Sequence, residues 1–86
     1  MNKSLRKTLA KIFQDPIPAD IIWKDIEKLF VAAGAKVSEG NGSRIRVKFI
    51  GVPPATFHRP HPIPETDKGA VKSVRRLLID ANIFPK

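Results

Sequence analysis

The chain has 86 residues with no cysteine, and its 16 lysines and arginines face eight aspartates and glutamates, for a formal net charge of +8. This length suits one small domain, and the lack of cysteine excludes disulfides and thiolate metal sites. No apolar stretch approaches the ~20 residues of a membrane span, and the basic start lacks the apolar run of a signal peptide. We therefore expect a cytoplasmic protein that makes no membrane contact, and a polyanion is the natural partner of its charge.

The first predicted element is an amphipathic helix between Ser4 and Phe13. Apolar residues recur at helical spacing along it, and Ser4 is a candidate N-cap. Two prolines in the turn 15–18 cannot continue the helix. We therefore predict residues 1–18 as an N-terminal helix with a proline linker, and residues 19–86 as the main domain.

A second helix and three strands are predicted next. An apolar stripe runs from Trp23 to Ala33, and the glycine that follows is a typical helix stop. Residues 35–39, 44–50 and 55–58 alternate in the manner of strands. A Gly-Asn-Gly turn joins the first two strands, which predicts that they form a hairpin.

A third helix is predicted over residues 68–81, after a proline-rich connection. Thr66 is its candidate N-cap, and Asn82 is a candidate left-handed stop. The order of elements predicts an α+β fold with a three-stranded antiparallel sheet. It is the αβββα layout of a double-stranded-RNA-binding domain, with one extra helix at the N-terminus.

Two basic stripes are visible in the sequence. Arg44, Arg46 and Lys48 alternate, so on a strand they share one face. Four further cations recur at helical spacing: Lys68, Lys72, Arg75 and Arg76. Such ordered stripes favour a surface that binds phosphates. A solvated charged surface without a ligand is the alternative.

Both histidines lie in one short segment, His58 to His61. They are the side chains that titrate near neutral pH. Cleavage of RNA through its 2′-hydroxyl needs a base and an acid, and two imidazoles can supply both. A proline-stiffened loop that only contacts phosphates is the alternative. A metal site is disfavoured because only Glu65 and Asp67 lie nearby as further ligands, and we expect no cofactor.

Two aromatic residues near these segments are predicted to pack in the core. Trp23 stands at a helix start, where packing is favoured over stacking on a base. Phe57 alternates with His58, so it should point to the opposite face of its strand.

Four segments, in order and at consistent spacing, carry a family resemblance. They are Lys28–Ala35 at the end of a helix, Gly42-Ser43-Arg44 at a turn, Arg59-Pro60-His61 before the last helix, and Lys68–Val71 with Leu78–Ile83 in and after that helix. Together they resemble the HicA toxin family, the small mRNA-cleaving partners of HicB antitoxins. The resemblance spans Trp23 to Pro85. It implies a compact αβββα fold, metal-independent RNA cleavage, and a hetero-oligomer with a HicB-like antitoxin.

The sequence departs from the family pattern at one position. The family histidine usually follows the Gly-Ser of the turn, and here that position is Arg44. Arginine stays protonated and cannot act as a general base. We therefore predict that His61 and His58 perform the acid–base steps, and that Arg44 stabilises charge on the phosphate.

The predicted RNA-binding residues are drawn from the turn, its strand and the segments around the histidines. They are Ser43, Arg44, Arg46, Lys48, Arg59, Lys68 and Lys72. A phosphate-dominated contact carries little sequence information, so we expect loose specificity. Two other interpretations remain: a non-catalytic RNA-binding module of the same fold, and a domain that binds only other proteins.

Overall fold

The computed structural model describes all 86 residues, which form three helices and three strands. The elements in chain order are α1 (Lys3–Ile12), α2 (Trp23–Ala32), β1 (Lys36–Glu39), β2 (Arg44–Lys48), β3 (Ala55–His58) and α3 (Lys68–Asp80). The predicted α+β architecture is confirmed, including the antiparallel order β1-β2-β3. None of the helices has the length and apolar composition needed to cross a membrane.

Helix α1 packs into the same core as the rest of the chain. Its buried residues Leu9 and Ile12 belong to one hydrophobic cluster with residues of α2, the sheet and α3. Asn2 caps the helix, accepting a hydrogen bond from the backbone N–H of Leu5 at 2.8 Å. The prediction of Ser4 as the cap was therefore wrong by two residues, because the helix begins earlier than the apolar pattern.

The sheet has one covered face and one open face. Ile45 and Val47 of β2 are fully buried, whereas Arg44, Arg46 and Lys48 between them are exposed. This alternation follows from the two-residue period of a strand. The helices cover the face that carries the apolar residues, so the whole basic stripe of β2 is left to solvent.

Aromatic contacts fix α2 on the covered face. Phe30, which is fully buried, lies 5.7 Å from Phe57 and 6.1 Å from Phe49 between ring centroids. Trp23 is 3% exposed, and its ring lies 5.8 Å from that of Phe57. Trp23 and Phe57 therefore both pack in the core, as the sequence predicted.

Helix α3 begins at Lys68, as predicted, but its N-cap is Asp67 and not Thr66. The Asp67 carboxylate accepts a hydrogen bond from the backbone N–H of Ala70 at 2.7 Å, which is the N-cap interaction. Thr66 does not cap the helix, because its own N–H donates to the carbonyl of Ile21 and its side chain turns into the interior. The helix stops as predicted, with Asn82 at a φ of 61°.

Candidate functional site

The open face of the sheet carries cations on its central strand. Arg46 lies opposite Ser38 of β1 and Thr56 of β3, and Lys48 lies opposite Lys36. Like charges that face each other directly destabilise a sheet. A surface with this arrangement is suited to an anionic ligand, which would remove the repulsion.

The two arginines of this face are free to bind an anion. Neither Arg44 nor Arg46 takes part in any of the four ion pairs of the molecule. Lys48 also lacks a carboxylate partner, although its ammonium donates to the carbonyl of Val52 in the turn after β2. The open face therefore presents a row of uncompensated positive charge.

Arg44 and His58 are direct cross-strand partners on this face. The adjacent pair is hydrogen-bonded, since the Arg59 N–H donates to the Ser43 carbonyl at 2.9 Å. Hydrogen-bonded and non-hydrogen-bonded pairs alternate along antiparallel strands, so Arg44 and His58 form a non-hydrogen-bonded pair. Directly opposite Cβ atoms in sheets lie about 4.5–5.5 Å apart and are closest in pairs of this kind. The side chains of Arg44 and His58 thus start from neighbouring positions on the open face.

His58 also lines a cavity with His61. The cavity has a volume of about 440 Å³ and is bounded on its far side by the start of α3, including Lys68. Both histidines are exposed, so a ligand can reach them from solvent. His58 therefore belongs to two arrangements: it is the cross-strand partner of Arg44, and it lines the cavity together with His61.

Two further predicted RNA-binding residues lie at the edges of this area. Ser43 is exposed in the turn before β2, and Lys72 is exposed one turn further along α3 than Lys68. Neither Lys68 nor Lys72 has an acidic partner. They extend the basic surface beyond the sheet without lying on its open face.

Arg59 has a different environment from the one that the sequence suggested. Its guanidinium is held between two carboxylates, with Nε and Nη2 donating to Glu27 at 2.9 and 3.0 Å, and Nη1 and Nη2 donating to Glu39 at 2.7 Å each. The hydrogen bonds that Arg59 donates, first those to Glu27 and then those to Glu39, raise the pKa of Arg59. The same contact lowers the pKa of Glu39 below its ordinary value of 4.5. Arg59 is thereby directed away from the open face and toward α2.

The strand period explains this position of Arg59. His58 points to the open face, so the next residue points to the covered side. There it meets Glu27, which also accepts a hydrogen bond from the indole N–H of Trp23. Sequence reasoning treated Arg59 as one more cation of a basic loop and overlooked Glu27 and Glu39. Alternation continued by one residue past β3 was the signal that could have indicated that Arg59 points to the covered side, but not which partners it meets there.

The fold and the candidate site together define a class: small basic α+β domains with the layout of a double-stranded-RNA-binding domain. In this chain the domain also has a cavity lined by two histidines. Residues 23–83 match the family model described as HicA toxin of bacterial toxin-antitoxin. The chain therefore belongs to the HicA toxin family, whose members are the toxin components of type II toxin–antitoxin systems and are typically mRNA interferases. Comparisons with curated proteins and with solved structures found no match.

Proposed function

We propose that this protein is a metal-independent endoribonuclease that cleaves mRNA and is inhibited by a HicB-like antitoxin. One observation carries the proposal: His58 is the cross-strand partner of Arg44 and shares a cavity with His61. Two imidazoles and a permanent cation are the groups that cleavage through the 2′-hydroxyl requires. Family membership supports the same assignment.

In the proposed reaction, a neutral imidazole takes the proton of the 2′-hydroxyl as its oxygen attacks the adjacent phosphorus. The second imidazole, protonated, gives its proton to the 5′-oxygen as the P–O5′ bond breaks. The products are a 2′,3′-cyclic phosphate and a free 5′-hydroxyl. Arg44 stabilises the negative charge on the phosphate oxygens during the attack, a role suited to a group that never loses its proton.

The basic open face supplies the binding energy in this proposal. Arg44, Arg46 and Lys48 form a row along β2, and Lys36 flanks it on β1. An RNA backbone laid along this row would release counterions from its phosphates. An acidic surface of the antitoxin would compete for the same row, so inhibition follows from covering the face.

A non-catalytic RNA-binding module is the second candidate. It is favoured by the arginine at position 44, since the family keeps a histidine there that can act as a base. Binding without cleavage would then arise from an intact basic face and an incomplete set of proton-transfer groups. Salt-sensitive RNA binding with no cleavage would support this candidate over the first.

The test is to express the chain without an antitoxin, and to incubate the purified protein with RNA in the presence of a chelator. We expect growth arrest and RNA fragments that end in a cyclic phosphate. His58→Ala and His61→Ala should each lower the cleavage rate by about 10²- to 10⁴-fold.

Thr56→Ala is the matched control, because Thr56 is exposed two residues before His58 on the same strand and the same face. It should leave the rate within a few-fold of the wild type. Intact RNA after incubation with the folded wild-type protein would refute the enzymatic function.

A further inference from the structure

We infer that the cleft between α2 and the proline-rich loop is a binding site for one unpaired nucleotide, with its base in the cleft. The inference rests on the proposed function and adds to it a base-binding subsite beside the histidine cavity. The cleft is the largest in the molecule, at about 590 Å³. This volume falls within the range of roughly 300–1,000 Å³ that is typical of small-molecule sites.

The loop that forms one wall is held in place at both ends. At its start, Arg59 is fixed by Glu27 and Glu39 through four hydrogen bonds. At its end, the Pro64 carbonyl accepts a hydrogen bond from the N–H of Trp23 at 3.0 Å, so the wall is tied to the first residue of α2. Pro60 and Pro62 stiffen the segment between these anchors. A cleft held in this way binds without having to order a loop.

The lining of the cleft is suited to a flat apolar group. Pro60, Pro62, Pro64 and Ile63 form one wall, and Ile63 is 59% exposed. On the floor, the Glu27 carboxylate and the Trp23 indole already satisfy each other. The binding free energy of a ligand would therefore come from contact with the apolar wall and not from hydrogen bonds at the floor. The face of a nucleobase meets this condition.

The rim of the cleft selects an anion. Lys24 and Lys28, one turn apart on α2, both line it, and neither has an acidic partner. An apolar group that carries a phosphate is complementary to a cleft with an apolar wall and a cationic rim. A nucleotide combines the two properties in one molecule.

The cleft and the histidine cavity are neighbours. Arg59, Pro60 and Ile63 line both, so the same loop separates the two spaces. An RNA strand with a phosphate between His58 and His61 would place an adjacent base within reach of the cleft. The subsite thus predicts a base preference next to the cleaved bond, in contrast to the loose specificity expected from phosphate contacts alone.

The experiment titrates the full chain with uridine and adenosine 5′-monophosphates and follows the fluorescence of Trp23, the only tryptophan. Each nucleotide should change the emission and saturate, and one base should bind more tightly than the other. Ribose 5-phosphate should produce no change. Ile63→Ser should weaken nucleotide binding by about tenfold, equivalent to about 1.4 kcal/mol.

Val31→Ser is the matched control, because Val31 is 61% exposed on α2 but does not line the cleft. Lys24→Gln should reduce the advantage of the monophosphate over the nucleoside. Equal responses to ribose 5-phosphate and to the nucleotides, or a response only to an acidic peptide, would overturn the inference.

RNA cleavage assayed in parallel separates this inference from the proposed function. Cleavage without nucleotide binding in the cleft would refute the base-binding subsite but support the proposed ribonuclease function. Nucleotide binding by a protein that does not cleave RNA would support the base-binding subsite but refute the proposed ribonuclease function.

Discussion

Arg44 occupies the position at which the family usually keeps a histidine, and its cross-strand partner here is His58. A histidine on the neighbouring strand thus lies directly beside the position at which the family keeps its histidine. In the proposed reaction, the pair divides two tasks between two residues: His58 exchanges protons, and Arg44 carries permanent charge. Sequence separation concealed this relation, because the two residues are joined by the β2–β3 register and not by any local motif.

Arg44→Ala should lower the rate of the cleavage step by about 10²- to 10³-fold, since it removes a charged donor from the transition state. Arg46→Ala, one row along the same face, should instead weaken RNA binding and leave the rate at saturating RNA nearly unchanged. Single-turnover cleavage at increasing protein concentration distinguishes the two effects. Equal losses of the saturated rate in both variants would contradict a catalytic role for Arg44.

The contact between Glu39 and Arg59 makes the free energy of unfolding depend on pH in the acidic range. The pKa of Glu39 is lowered in the folded state by the hydrogen bonds from Arg59. The resulting stabilisation is present above the ordinary pKa of 4.5 and is lost as the pH falls through the lowered folded-state pKa. The Glu39→Gln variant should therefore lose less stability than the wild type over this acidic range. Urea midpoints measured from neutral to acidic pH test the difference, and parallel pH profiles would contradict it.

At the scale of elements, α1 is an integral part of the folded domain. It lies outside the matched residues 23–83, yet Leu9 and Ile12 are buried in the common core. Arg75 of α3 strengthens the attachment, because its Nε donates to the Ile12 carbonyl at 2.8 Å and its guanidinium lies 5.9 Å from the centre of the Phe13 ring. In this chain an additional N-terminal helix precedes the matched residues, and its buried side chains form part of the hydrophobic core.

Ile12→Ala should lower the free energy of unfolding by about 2–5 kcal/mol, because it leaves a cavity at a fully buried position. Ile50→Ala is the control, since Ile50 is 99% exposed in the turn after β2 and its loss should change stability by less than about 0.5 kcal/mol. Urea denaturation of both variants measures the difference. A change as small for Ile12 as for Ile50 would show that α1 adds little to the core.

Periodicity predicted every helix and strand, because amphipathic spacing and strand alternation are local properties of the chain. It also predicted that β2 presents its cations on one face. The N-cap predictions were less accurate: Asn2 and Asp67 cap α1 and α3, where Ser4 and Thr66 were expected. Which residue caps a helix depends on the contacts that the first turn makes with other parts of the chain. Thr66 is drawn inward by its backbone hydrogen bond to Ile21, a contact between distant parts of the chain.

At the scale of the whole molecule, the residue types of the candidate site could be recognised in the sequence, but the contacts between its residues could not. The histidines and the basic stripe were evident from residue type and spacing. The pairing of Arg59 with Glu27 was not, because those residues lie 32 positions apart and meet only when α2 packs beside β3. Long-range ion pairs leave no periodic pattern in a sequence. The sequence therefore does not distinguish a cation that is paired within the fold from one that is free to bind a ligand.

The affinity for RNA should fall steeply with salt, since each phosphate neutralised by Arg44, Arg46, Lys48 or Lys36 releases a counterion. Each of these replaced by alanine should reduce the slope of log K against log salt concentration by about 0.7 to 0.9. Fluorescence anisotropy with a non-cleavable 2′-deoxy oligonucleotide measures the slope. Arg59→Ala should not change it, provided that the variant is folded, because that guanidinium is already neutralised within the protein. A slope that falls equally in all of these variants would contradict this division of charges.

The placement of Lys36 directly opposite Lys48 in the sheet leads to a further consequence. In the free protein, dissolved salt screens their repulsion, so added salt should raise the melting temperature. An anionic partner removes the same repulsion by contact and stabilises the native state by mass action. The protein should therefore be least resistant to heat and proteolysis when it is alone in dilute buffer. An antitoxin that covers this face would prolong the lifetime of the toxin that it silences.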